Sequence, residues 1–115
     1  MSKGIQTILF PVDDMQRAKA QFNKLLDAEP IADAPYYIGY KVAGQDIGLV
    51  PKANAKHMTG PLPYVHVDDI KASLAVLLEA GAQTLEEVKD VGGGRLVASV
   101  RDCDGNPIGI LQDAG

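Results

Sequence analysis

The first strand-like run alternates cleanly: Ile8, Phe10 and Val12 fall on one face, Thr7, Leu9 and Pro11 on the other, the period of two expected where one face meets a core. After Asp14 the period changes. Met15, Ala18, Phe22, Leu25 and Leu26 recur at helical spacing, and the same switch follows Asp69 with Ile70, Leu74, Leu77 and Leu78. Each predicted helix thus buries one apolar stripe. Asp14 and Asp69 stand where an N-cap carboxylate accepts the free N–H groups of a first turn, and Gly81 suits the left-handed position after a last one. Short segments rich in Val, Ile, Tyr and Leu follow each helix, separated by Ala43-Gly44, Gly92-Gly93-Gly94 and Asp104-Gly105-Asn106, and read as strands and turns.

The pattern occurs twice. Val12-Asp13-Asp14-Met15 returns as Val67-Asp68-Asp69-Ile70, and Gly44-Gln45-Asp46-Ile47-Gly48-Leu49-Val50 is answered by Gly105-Asn106-Pro107-Ile108-Gly109-Ile110-Leu111. Each half reads as β-α-β-β-β. The chain is therefore expected to be one domain, 1–115, made of two repeats at about 1–52 and 62–115 joined by an aperiodic connector at about 51–63. Halves of about 50 residues are small for independent cores.

Composition narrows the function classes. With 46% apolar and 23% charged residues, the 115-residue chain is ordinary for a globular protein. No apolar run approaches the roughly 18 residues needed to cross a bilayer, and the N-terminus lacks a signal-peptide pattern, so no membrane partner and a cytoplasmic location are expected. The net charge of −4 and scattered Lys and Arg give no footprint for nucleic acid. Cys103, the single cysteine, excludes an internal disulfide and is read as a passive thiol.

At Ile8-Leu9-Phe10-Pro11-Val12-Asp13-Asp14-Met15 with its helix, and at Gly94-Arg95-Leu96-Val97 running into Arg101-Asp102-Cys103-Asp104-Gly105-Asn106-Pro107-Ile108, the chain resembles the vicinal oxygen chelate family. That family includes glyoxalase I, extradiol dioxygenases and bleomycin-resistance proteins. The resemblance implies an α+β fold in which two βαβββ modules form a curved mixed sheet around a cavity, built within one chain or between two, commonly in a homodimer. It also implies four places where the family's metalloenzymes carry His, Gln or Glu. Here they fall on Thr7, Leu62, Gly48 and Gly109, none a usable ligand for a transition metal. Gln6 would be a ligand, but moving the register by one residue would turn Ile8, Phe10 and Val12 outward. Neither metal nor cofactor is expected.

Other chemistry must come from residues sharing the cavity face. Alternation places Leu9 with Thr7, and Tyr64 and His66 with Leu62. His66 is the candidate acid-base residue or ligand contact; no partner carboxylate is visible in the sequence. Asp46 shares the Gly48 face or caps the Gly44 turn. Tyr36 and Tyr40 fall on one face of their segment and Tyr37 on the other, one face lining the cavity and the other packing. His57 is read as solvated, and the Gly92-Gly93-Gly94 run, lacking Lys-Ser/Thr and a helix after it, as a turn rather than a phosphate cradle. The expected function is metal-independent binding of a hydrophobic or amphipathic small molecule by Thr7, Leu9, Tyr40, Asp46, Tyr64 and His66. The alternatives are a lyase-, isomerase- or dioxygenase-type enzyme using Gln6, Asp46 and His66 as an atypical metal set or His66 alone, and a structural dimer. Charge leaves the ligand class open, because Arg95 and Arg101 suit an anion while the acidic balance suits a cation.

Overall fold

The computed structural model describes residues 2–55 and 58–115; His57 lies outside the described residues. Eight strands and two helices follow the predicted order, β-α-β-β-β twice: β1 (Ser2–Val12), α1 (Met15–Leu26), β2 (Ala32–Ala34), β3 (Tyr37–Val42) and β4 (Gln45–Pro51), then β5 (Leu62–Val67), α2 (Ile70–Glu79), β6 (Gln83–Asp90), β7 (Leu96–Arg101) and β8 (Pro107–Gln112). A 3-10 turn, Lys52–Asn54, lies in the connector. The chain groups into two compact units, Thr7–Leu62 and Pro63–Gly115, the second together with residues 2–6.

In the first unit the strands run in the order β2-β3-β4-β1. β1 and β4 are parallel, with Thr7 opposite Asp46 and Leu9 opposite Gly48, while β2, β3 and β4 are antiparallel. One side of this sheet is covered by α1. Ala18, Ile38, Tyr40 and Leu49 are buried there, with Phe10, Val12, Met15, Phe22, Leu26 and Ile47 packed around them. The Phe22 ring stands 5.1 Å from Phe10 and 6.4 Å from Tyr40, tying the helix to β1 and β3.

The second unit repeats the plan, in the order β5-β8-β7-β6. β5 and β8 are parallel and the other pairs antiparallel. Its core, Val67, Ile70, Leu74, Ala98, Val100 and Ile110, lies between the sheet and α2. Both sheets are therefore mixed, and the fold is α+β.

The helix boundaries obey the predicted chemistry. Asp14 accepts from the Arg17 N–H at 3.0 Å and Asp69 from the Ala72 N–H at 3.1 Å. Gly81 follows α2 at φ +104, a conformation that a β-carbon disfavours. Leu25 and Leu78 depart from expectation. They sit at the margins of their stripes and are exposed, 74% and 42%, because the sheet meets only the centre of each helix face.

Candidate functional site

The second unit's helix-free face carries the densest polar chemistry. Alternation in β5 sends Val65 toward the α2 core and leaves Tyr64 and His66 on the other side. His66 is 3% exposed, and its Nδ1 lies 3.2 Å from Asp113 Oδ2. A carboxylate only accepts, so Nδ1 donates in this contact. The other Asp113 oxygen, Oδ1, lies 3.2 Å from Arg95 Nε. The register of β7 and β8, which sets Leu96 opposite Gln112, brings these two residues together. The Gly92-Gly93-Gly94 turn ahead of Arg95 is built entirely at positive φ and closes through Arg95 N–H to the Gly92 carbonyl at 3.2 Å. Its role is to return the chain into β7.

One row crosses all four strands of this face. Tyr64 stands opposite Gly109, Gly109 opposite Ser99, and Ser99 opposite Glu86. The Tyr64 ring lies in the space that a side chain at position 109 would fill, since a β-carbon there would overlap it. Burial, reinforced by the negative charge of Glu86, pushes the Tyr64 phenol up to about 12. It is neutral at physiological pH. Ser99 is 1% exposed, and its hydroxyl finds no hydrogen-bond partner among the described residues. Glu86 reaches the row through a register shift in β6: Thr84 pairs with Val100, so regular pairing would set Leu85 opposite Ser99, but Glu86 stands there. Lys89 Nζ lies 3.2 Å from Glu86 Oε1.

The corresponding face of the first unit is simpler. Thr7, Asp46 and Lys41 form one row, with Thr7 Oγ1 donating to Asp46 Oδ2 at 3.5 Å and Lys41 Nζ 3.1 Å from Asp46 Oδ1. Asp46 thus joins the face and holds Lys41. The next row is Leu9, Gly48 and Gly39. The Tyr37 ring spans both glycines, and a β-carbon on Gly48 would come within 2.6 Å of Leu9 Cδ2 and 2.7 Å of Tyr37 Cε1.

Tyr40 is placed differently from expectation. It belongs to the α1 side of the sheet, 1% exposed, with its hydroxyl donating toward Asn23 Oδ1 at 2.6 Å and the Lys19 carbonyl at 3.2 Å. The reason is strand parity. Tyr40 shares its face with Ile38, in the core, and Tyr36 lies in the exposed turn before β3, leaving Tyr37 for the helix-free face.

The sequence profile of the Glyoxalase/Bleomycin resistance protein/Dioxygenase superfamily matches residues 4–110. The chain belongs to this superfamily. The fold is shared with methylmalonyl-CoA epimerase from Mycobacterium tuberculosis, at TM-score 0.79 and 15% identity over 99% of this chain and 90% of that one. A glyoxalase/bleomycin resistance protein/dioxygenase superfamily member from Vibrio splendidus 12B01 gives TM-score 0.72 and 17% identity, covering 98% of this chain and 100% of that one. The Mn(II)-bound glyoxalase from Novosphingobium aromaticivorans gives TM-score 0.73 and 17% identity over 100% of this chain and 41% of that one. No curated protein sequence matches the chain significantly.

A metal at the four positions implied by the superfamily does not fit the residues present. Thr7 is committed to Asp46, Leu62 is a buried apolar side chain, and the space beside Gly48 and Gly109 is filled by Leu9 with Tyr37 and by Tyr64. The atypical set fares no better. Gln6 is exposed and donates to the Lys3 carbonyl, Asp46 holds Lys41, and His66 Nδ1 faces Asp113. Among the described residues no group of three or more His, Cys, Asp or Glu side chains is arranged to hold a metal ion. Of the sequence-derived candidates, Thr7, Leu9 and Asp46 share the helix-free face of one unit and Tyr64 and His66 that of the other. Sequence reasoning missed Asp113, Glu86 and Ser99, and left open whether Tyr37 or its neighbours Tyr36 and Tyr40 take the helix-free face. Asp113 lies beyond the last strand and Glu86 depends on a register shift, so neither leaves a periodic signal.

Proposed function

We propose that this member of the superfamily is a metal-independent small-molecule-binding protein, a cytoplasmic homodimer that holds a hydrophobic or amphipathic ligand on the helix-free faces of its modules. The observation that carries the reading is the filling of the spaces beside Gly48 and Gly109 by Leu9, Tyr37 and Tyr64, where metalloenzymes of the superfamily need a coordinating side chain. Thr7, Leu9 and Asp46 line one face, Tyr64 and His66 the other. An apolar floor with a few oriented polar groups is the usual composition of a small-molecule site. Elemental analysis for Mn, Fe, Co, Ni, Cu and Zn on protein purified without an affinity tag, paired with a thermal-shift screen of metabolites and antibiotics, tests this. Metal-free protein with a ligand-dependent rise in Tm is the expected result. Near-stoichiometric metal that survives dialysis overturns the reading.

A second reading, proton transfer by His66, is favoured by the Asp113 carboxylate at Nδ1, since an acid-base histidine needs an orienting partner. It predicts that His66→Ala abolishes turnover of a substrate found by screening, while Asp113→Asn lowers kcat and leaves KM close to the original. Turnover that survives His66→Ala rules it out.

A further inference from the structure

We infer that Arg95 is a positioning residue for His66: by holding Asp113 Oδ1 it keeps Oδ2 at the imidazole and so fixes which ring nitrogen carries the proton. This rests on the proton-transfer reading above and adds the residue that orients its carboxylate. The need for one follows from where Asp113 stands. The pairing of β7 with β8 ends at Leu96 and Gln112, so Asp113 lies one residue past the sheet, and its side chain is 58% exposed. The last torsion of an aspartate is broad and roughly two-fold, so a carboxylate held through one oxygen is free to turn. His66 is buried, and the tautomer of an imidazole is set by the hydrogen bonds its nitrogens make.

Arg95 supplies the second contact. Its Nε is buried and lies 3.2 Å from Asp113 Oδ1, an ion pair that occupies the oxygen not facing His66. The base of the Arg95 side chain is fixed on both sides: its N–H donates to the Gly92 carbonyl at 3.2 Å, and its carbonyl accepts from the Val91 N–H at 2.9 Å. Asp113 is anchored through its neighbours. Gln112 Oε1 accepts from the Ile70 N–H at 2.9 Å, and Ala114 lies so close to Gly94 that a β-carbon on Gly94 would stand 3.3 Å from the Ala114 β-carbon. With both backbones pinned, what remains to be decided is the rotation of the carboxylate, and Arg95 decides it. An ion pair with an exposed member adds little to folding, so the consequence of this one falls on the ring.

The position of the proton is read by long-range 1H–15N correlation of the imidazole nitrogens in the full chain, at a pH above the titration of the ring. His57→Gln identifies the signals of the other histidine. The His66 ring should carry its proton on Nδ1, opposite to the preference of free histidine. Asp113→Ala should lower the ratio of Nδ1–H to Nε2–H about ten-fold, the effect of one hydrogen bond to a charged group. Arg95→Gln, with Asp113 intact, should lower it about three-fold. In the Asp113→Ala background the same change should do nothing, since Arg95 acts through that carboxylate. For a substrate found by screening, Arg95→Gln should lower kcat in the same proportion and leave KM close to the original. A proton on Nε2 in the unaltered protein, or an equal response to Arg95→Gln in both backgrounds, overturns the positioning role. So does an unmoved ratio, with or without a lower urea midpoint, since that is the mark of a purely structural pair. Turnover that survives His66→Ala overturns the proton-transfer reading by itself, whatever the ratios show.

Discussion

A methyl group at Gly109 has nowhere to go, because its β-carbon would overlap the Tyr64 ring. Gly109→Ala should therefore cost about 1–3 kcal/mol of stability in urea unfolding, the usual range for overpacking. In a Tyr64→Ala background most of that cost should vanish, a coupling that a double-mutant cycle reads directly. The phenol of Tyr64 has its own signature. Its titration near 12, against an ordinary 10.0, means that the fold favours the neutral form. The contribution, about 3 kcal/mol for a two-unit shift, is fully present below pH 10 and is lost as pH rises from there through 12. Ultraviolet difference absorbance should show Tyr64 ionising late, with Tyr40, which burial also raises, above the ordinary range as well, followed by alkaline unfolding. At this scale the sequence was partly legible. Alternation placed Thr7, Leu9, Tyr64 and His66 correctly on faces, because β1 and β5 are regular. It did not place Tyr40, since three tyrosines within five residues permit either parity until the start of β3 is known.

Among the elements, the helices were the most legible, because a cap is a local device. Replacing Asp14 or Asp69 by Ala should each lower stability by about 1 kcal/mol, the typical worth of an N-cap side chain, with Asn at either position restoring most of it. Chemical denaturation of the four variants checks this. β6 was the least legible. Its pairing with β7 changes register on both sides of Glu86, and a strand whose period is interrupted shows no clean alternation to read. The irregularity is also what brings Glu86 into the row with Ser99, so the element that sequence patterning described worst is the one that differentiates the two faces. Asp113 escaped for another reason: its partner His66 sits 47 positions away in sequence, and no local rule joins them.

For the molecule as a whole, the repeated β-α-β-β-β order was readable because each copy carries its own caps and glycine turns. Net charge is a property of this scale as well. The chain carries −4 at pH 7 and reaches neutrality near pH 5.0, where turbidity should be greatest. Stability should not follow solubility. Asp68, held down by Lys3, and Asp102, held down first by the Asn106 backbone N–H, both titrate below the ordinary 3.8. Their contributions are complete above that value and are lost as pH falls through the lower folded ones. The urea midpoint should thus be little changed by these groups at pH 5.0 and fall modestly only below about pH 4. The paired glycines and rings also constrain how such a chain changes over generations. Installing a coordinating carboxylate at position 48 or 109 collides with a ring already in place, and removing the ring first leaves a void, so neither single step is free. The two halves differ in how tightly they are latched: the Tyr64 ring alone stands in the way at position 109, whereas Leu9 and Tyr37 both do at position 48, so a larger side chain calls for one compensating exchange in the second half and two in the first.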